Sequence, residues 1–343
     1  MFSRILYNSY LNKWSKLNII TEIHQQLERE ITEINSLITS NLTVDEELIG
    51  IVGKYLVEAG GKRIRPLLTI LSSKMFGDKN TCSIKLATAV EFIHTATLLH
   101  DDVVDESKMR RFKPTANMIW GNKASILVGD FLFSQSFKLM VASKSIQALS
   151  ALSNASAIIA QGEVAQLANL NQRRMLSFAE YEQVVTAKTA ELFGAACEVG
   201  AIIENQPEKI CSLMKEFGIN LGRIFQMADD LLDYFGNDAE TGKNIGDDFA
   251  EGKVTLPLIF LYRELEQTNK NKLIRMIEAD SRSSLEFTWV KKMLTQHEVK
   301  RLALGVLDEL KQNTAAFLNK TPVDNKYRNY LFALVDFAAS RSC

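Results

Sequence analysis

Two short acidic signatures, Asp101-Asp102-Val103-Val104-Asp105 and Asp229-Asp230-Leu231-Leu232-Asp233, lie far apart in the chain, each inside an apolar, helix-like stretch. Like charges in partly buried surroundings are costly unless a cation neutralises them. On a helix Asp101 and Asp105 share one face, as do Asp229 and Asp233, while the apolar pairs between them turn into the packing. Hard divalent cations prefer carboxylate oxygen, and magnesium usually takes one or two carboxylates together with substrate phosphates. The pattern therefore predicts two carboxylate faces across a cavity, with divalent metal bridging a diphosphate. A single copy would read equally well as a solvated acidic face. Two copies with apolar flanks disfavour that alternative.

Cations complete the constellation. Gly60-Gly61-Lys62-Arg63-Ile64-Arg65-Pro66 sets three positive charges after a glycine pair, just before a helix, where the backbone can approach a phosphate closely. Arg110 and Arg111 follow the first acidic motif, Lys188-Thr189 sits mid-helix, Gln226 lies one turn before Asp229, and Lys243 and Lys253 flank a glycine-rich segment. His94 shares a helical stripe with Leu98, Asp101 and Asp105, about 10 Å before the first carboxylate at 1.5 Å per residue. A lone histidine is more often a core or surface group, and a basic run is often solvated surface. Beside six aspartates, these residues predict a two-phosphate site.

The elements that must hold this site read as helices. Residues 21–39 carry Ile23, Leu27, Ile31, Ile34 and Leu37 near i, i+3/i+4 spacing. Segments near 45–58, 66–76, 82–105, 123–142, 145–170, 178–203, 207–236, 254–267 and 285–318 follow the same period. Breaks fall at Gly60-Gly61, Gly77-Asp78, Lys113-Pro114, Asn205-Gln206-Pro207 and from Gly236 to Gly252. No alternating Val/Ile/Thr-rich strands stand between turn signals, which disfavours a doubly wound α/β fold. The chain has 343 residues with 5 Pro and 17 Gly, suiting long helices in one all-α domain over 21–343.

At 46% hydrophobic, 24% charged and net charge -1, the composition gives no reason to expect nucleic acid or an anionic membrane as the main partner. No uninterrupted apolar run reaches about 18 residues, so no membrane span is expected. Cys82, Cys197, Cys211 and Cys343 lack metal-type spacing and read as reduced thiols of a cytoplasmic protein. Residues 1–20 form an extension with Arg4, Lys13 and Lys16 among serines and no acid before Glu22. A short amphipathic helix and a mitochondrial-type presequence are both open there.

With these motifs in place, the chain resembles the all-trans polyprenyl diphosphate synthases, and among them the long-chain octaprenyl type. The resemblance runs from about residue 45 to Arg341. It rests on GGKRIRP at 60–66, EFIHTATLLHDDVVDESKMRR at 91–111, GDFLFSQSF at 129–137, KTAELF at 188–193, FQMADDLLDYFG at 225–236 and TGKNIGDDFAEGKVTLPLI at 241–259. It implies an isoprenoid-synthase-type helical bundle around a deep central cavity, working as a homodimer with three magnesium ions per site. By the same resemblance, Lys62, Arg65, His94 and Arg111 match positions for isopentenyl diphosphate. Arg110, Lys188, Thr189, Gln226, Lys243 and Lys253 match positions for the allylic diphosphate. Asp101, Asp105 and Asp229 match direct magnesium ligands, with Asp102, Asp230 and Asp233 close by or acting through water; Asp233 completes the second metal face.

The implied chemistry is sequential condensation of isopentenyl diphosphate onto an allylic diphosphate such as farnesyl diphosphate, yielding a long chain for a quinone such as ubiquinone. Small residues at Ala96 and Thr97, where short-chain relatives often carry aromatics, suggest an open tunnel and a long product; the resemblance favours octaprenyl, with decaprenyl the competitor. Simple helix packing would explain Ala96 equally. Two positions depart from the family: Phe112 replaces a usual glycine, and Arg223 replaces a small or apolar residue, where it could snorkel to the surface. A partner subunit of a heteromeric synthase is a second reading, disfavoured by the intact motifs. An HD-type metal phosphohydrolase would use His100-Asp101 but leaves the second acidic motif unexplained. A class I terpene cyclase would normally keep one such motif and pair it with a different metal motif.

Overall fold

The computed structural model describes residues 18–58, 61–77, 81–110, 113–236 and 245–340. The chain opens with α1 (Asn18–Gln26), α2 (Glu28–Leu42) and α3 (Glu47–Glu58), followed by α4 (Ile64–Phe76) and α5 (Cys82–Val104). A two-residue ladder, β1 (Met109–Arg110) against β2 (Lys113–Pro114), is the one sheet among the described residues. Then come α6 (Ala116–Trp120), α7 (Asn122–Ala142), α8 (Ile146–Gln172) and α9 (Phe178–Val185). A wide π turn (Thr186–Ala190) leads into α10 (Glu191–Ile203) and α11 (Glu208–Phe235). One short helix and five longer ones follow: α12 (Asp247–Glu251), α13 (Leu256–Glu264), α14 (Gln267–Glu278), α15 (Ser284–Gln296), α16 (Val299–Asn319) and α17 (Lys326–Ala339).

Helix α10 is apolar on nearly every face and packs against α11, α4, α8 and α5, as expected of a helix surrounded by protein. Small residues bring its neighbours close. A Cβ on Gly222 of α11 would stand 2.6 Å from Ala190 Cα, and one on Gly200 of α10 would stand 2.6 Å from the Thr69 carbonyl oxygen of α4. The two carboxylate-bearing helices, α5 and α11, are set around this central helix.

Helices α5 and α7 are each long and apolar enough to cross a membrane by length and composition, although charges interrupt any purely apolar run. In α5 that apolarity faces the core, with Leu86, Val90, Ile93 and Leu99 fully buried. Local signals fix several ends. Ser177 with Glu180 and Ser283 with Glu286 form capping boxes, and Asn325 accepts from the Tyr327 and Arg328 amides.

Several stretches differ from the sequence reading. The 21–39 segment is two helices, α1 and α2, divided at Leu27. The 178–203 segment is interrupted at Thr186–Ala190, where the Glu191 amide reaches back to the Thr186 carbonyl. The 285–318 segment is two helices, because Glu298 turns left-handed at φ 49° with neither Gly nor Pro to announce it. Helices α14 and α17 add to the predicted set. The 1–17 extension, Gly60, Arg111, Phe112, Lys243 and Arg341 lie outside the described residues.

Candidate active site

The end of α5 and the end of α11 face one cleft of about 490 Å³. Both carry carboxylates near helix C-termini, where the backbone dipole also disfavours negative charge. His94, Thr97, Leu98, Asp101 and Asp105 line the cleft from α5, and Gln226, Asp229, Asp230 and Asp233 line it from α11. The single stripe expected on α5 is thus one wall.

The six aspartates do different work. Asp101 lies 3.7 Å from Lys188 Nζ, which also donates to Glu163 at 2.7 Å. Burial raises the Asp101 carboxyl above its ordinary value, Lys188 opposes that, and Asp105 adds to it. Glu163 is pushed up to about 7 by burial and by the Asp101 charge. Asp102 is buried and points away from the cleft. It accepts from Arg110 at 2.7 Å (Nη2) and 3.0 Å (Nε), fixing Arg110 at the cleft edge. Asp105 accepts from Lys253 Nζ at 2.9 Å. Burial alone would lower the lysine, but Asp105 and Glu251 outweigh it and hold Lys253 protonated well above the usual range.

On α11, Asp230 is a buried member of the cleft lining. Tyr181 Oη donates to it at 2.6 Å and Gln226 Nε2 at 2.8 Å, while Thr189 Oγ1 donates to Gln226 Oε1 at 2.9 Å. Burial and the Asp248 charge push Asp230 up to about 7. Asp233 holds the start of α12: its carbonyl accepts from the Gly246 amide at 2.9 Å and its carboxylate from the Asp248 amide at 3.3 Å.

The π turn presents Lys188 and Thr189 to the cleft, because its extra residue widens the helix locally. Gly162 of α8 allows the approach: a Cβ there would stand 2.9 Å from the Lys188 amide nitrogen. Arg223 Nε donates to Thr186 Oγ1 at 2.8 Å and Nη1 to Asn220 Oδ1 at 3.4 Å. It therefore braces the start of the π turn and does not snorkel freely.

At the other end of the α5 stripe, Arg65 Nη1 donates to His94 Nε2 at 3.0 Å. Arginine has no acceptor, so this bond assigns the imidazole hydrogen to Nδ1. The Arg65 guanidinium also stands 4.5 Å over the Phe193 ring. Lys62 is exposed, with Nζ 4.6 Å over the Phe337 ring of α17, outside the cleft lining. Thr97 lines the cleft and donates to the His94 carbonyl at 2.8 Å, whereas Ala96 is fully buried and not part of the lining. His100 lies 3.3 Å from Asp130 on α7, not among the cleft residues, which removes the doublet an HD-type hydrolase needs.

The sequence reading assigned no role to Glu163, Tyr181 and Asp248, all of which line the cleft. Glu163 had a signal, an acid beside Gly162 in an apolar helix, and Asp248 stood unassigned within a quoted motif. Tyr181 had none: its value depends on meeting Asp230 across the fold.

Among the described residues, no three His, Cys, Asp or Glu side chains gather closely enough to enclose a metal ion alone. The donors nevertheless suit a hard cation. They are carboxylate oxygens lining one cleft, and Asp101 and Glu163, raised first by burial and then by like charge, are groups whose charged forms a cation would favour. Asp101, Asp105, Asp229 and Asp233 all line the cleft.

A helical cavity with two carboxylate walls, edged by lysine and arginine, defines a transferase of the diphosphate-handling all-α class. The polyprenyl synthetase family model matches residues 46–294. The chain is 39% identical to the octaprenyl diphosphate synthase of Haemophilus influenzae over 96% of this chain and 99% of that one. It is 42% identical to the Escherichia coli octaprenyl diphosphate synthase over 70% and 74%. A polyprenyl synthase from Caulobacter crescentus, solved with calcium and isoprenyl diphosphate, superposes with TM-score 0.88 at 41% identity, covering 94% and 98% of the two chains. A decaprenyl diphosphate synthase from Rhodobacter capsulatus gives TM-score 0.86 at 39% identity, covering 94% and 99%. The chain belongs to the polyprenyl synthetase family. It has the isoprenoid synthase fold and is a prenyltransferase that makes trans-polyprenyl diphosphates.

Proposed function

We propose that residues 21–343 work as one magnesium-dependent unit that adds isopentenyl diphosphate units to an allylic diphosphate, with farnesyl diphosphate as starter and octaprenyl diphosphate as product. The observation that carries this is one cleft lined by both Asp101 and Asp105 and Asp229 and Asp233, with Lys188 beside Asp101 and Lys253 beside Asp105. Magnesium, three ions in this proposal, supplies charge neutralisation for the leaving diphosphate when bound. Lys188, Lys253, Thr189 and Gln226, with Lys243, take the allylic diphosphate; Arg110, anchored by Asp102, closes the edge. These groups stabilise negative charge as the allylic C–O bond breaks. Arg65 and His94, with Lys62 and Arg111, hold isopentenyl diphosphate so that its double bond attacks the allylic carbocation. A proton then leaves to the departing pyrophosphate, and the chain is five carbons longer.

The octaprenyl length is supported by the Haemophilus and Escherichia relatives and by the small Thr97 at the cleft wall. The Rhodobacter capsulatus decaprenyl structure supports ten units as the alternative. A heteromer subunit is the second reading, favoured by similarity to heptaprenyl diphosphate synthase component 2 of Bacillus subtilis. Exposed Leu127 and Val141 on α7 support a homodimer. The bacterial relatives support a cytoplasmic enzyme that passes its product to membrane enzymes for quinone assembly; a presequence in residues 1–20 would direct it to mitochondria instead.

Incubating the purified chain with magnesium, farnesyl diphosphate and labelled isopentenyl diphosphate, then resolving products by chromatography, tests the reading. An octaprenyl band is expected. No elongation by the chain alone would move the assignment to the subunit reading.

A further inference from the structure

The three cations of the 62–65 run separate in space. Arg65 lines the cleft and Lys62 stands over Phe337, whereas Arg63 turns inward and forms an ion pair with Glu91 of α5. Its backbone is left-handed (φ 49°, ψ 34°), a conformation that side-chain-bearing residues adopt at a steric cost. The pair is secluded, at 14% and 9% side-chain exposure, beside a small void bordered by Leu42, Leu56, Phe92 and Leu132.

A buried ion pair is a poor source of stability, since desolvation offsets much of the attraction and an apolar pair of similar volume often does as well. What it supplies is position. Glu91 and His94 are one helical turn apart on α5 and meet Arg63 and Arg65, two residues apart on the incoming chain. The start of α4 is thus pinned at two points on the helix that carries the first acidic motif. The Lys62 carbonyl, immediately before, meets His24 Nε2 at 3.1 Å.

We infer that Glu91 is a positioning residue: through Arg63 it holds the left-handed turn that aims Arg65 at the diphosphate of the second substrate. This rests on assigning isopentenyl diphosphate to Arg65 and His94. Glu91 is not part of the cleft lining, and the side chains assigned to the allylic diphosphate, Lys188, Thr189, Gln226 and Lys253, stand on other elements. Losing the pair therefore raises KM for isopentenyl diphosphate selectively.

The test is steady-state kinetics with each substrate varied in turn, alongside thermal melting, for the intact chain and for Glu91→Gln, Arg63→Lys, and Arg63→Met combined with Glu91→Met. Glu91→Gln is expected to raise KM for isopentenyl diphosphate about tenfold, the scale of lost outer-sphere support, with KM for the allylic substrate unchanged. The double methionine variant should melt like the parent yet keep the raised KM, and it carries the test if Glu91→Gln does not fold. A parental KM for isopentenyl diphosphate in the double variant overturns the inference, as does an equal rise for both substrates. Arg65→Ala separates the two levels. If it leaves that KM unchanged, the substrate assignment itself fails; if it raises KM while the Glu91 variants do not, the positioning role alone fails.

Discussion

Lys253 Nζ donates to Asp105 Oδ2 at 2.9 Å although 148 positions separate the two residues in the chain. The contact ties the segment after α12 to the end of α5, placing a cation from the glycine-rich stretch against the first acidic motif. The same ammonium also reaches Glu251 at 2.6 Å, so it is held in place before any phosphate arrives.

Removing that charge should impair turnover more than folding. Lys253→Met is expected to lower kcat about 100-fold, the usual effect of losing one preorganised group that stabilises developing negative charge. Rapid-quench measurement of allylic bond cleavage, with a melting curve as control, checks this. An unchanged kcat would remove Lys253 from the leaving-group side.

Asp101→Ala and Asp229→Ala should each sharply reduce turnover while leaving the protein folded, and a chelator should abolish activity in the parent. Circular dichroism and magnesium-dependent turnover provide the two readouts. Normal activity in either variant would refute the metal assignment.

Glu163 gives the metal-free protein a pH signature. Its carboxyl rises from 4.5 to about 7 on folding, so the native state binds its proton more tightly than the unfolded chain. The resulting stability is complete below 4.5 and is lost as pH rises through about 7. The melting temperature of the parent, relative to Glu163→Gln, should therefore fall across that interval without metal. Magnesium should flatten the difference; a parallel pH profile for the two proteins would contradict the repulsion argument.

Tyr181→Phe should destabilise the fold by about 1–3 kcal/mol, because it leaves buried Asp230 with one fewer donor. Urea unfolding measures the loss. A neutral result would mean that Gln226 alone satisfies Asp230.

Thr97 and Ala96 should part company when enlarged. Thr97→Phe projects into the cleft and is expected to shorten the product, whereas Ala96→Phe meets a filled core and should destabilise the protein instead. Product chromatography and melting curves distinguish the two.

The cysteines offer a check on packing away from the site. Burial pushes the Cys197 thiol up to about 12, so native protein should resist alkylation there, while half-buried Cys82 reacts faster. Peptide mapping after brief labelling measures the order.

Much of the site was legible because its chemistry depends on local spacing. The i, i+4 aspartates and His94 share a face by helix geometry alone, and the apolar period announced α5, α8 and α11. The interruption at Thr186–Ala190 was not legible, since it depends on the close approach of Gly162 and the brace from Arg223. Nor was the break at Glu298, a left-handed residue in an otherwise unbroken helical period.

The sequence by itself therefore determined the residue types, the helical faces and the family. Tertiary structure decided which identical residues became different: Asp101 and Asp105 face the cleft while Asp102 anchors Arg110, and Arg65 enters it while Arg63 is buried against Glu91. The reason is physical. A helix period fixes the direction of each side chain relative to its own axis, but burial, charge partners and the identity of the opposing wall exist only once distant segments pack together.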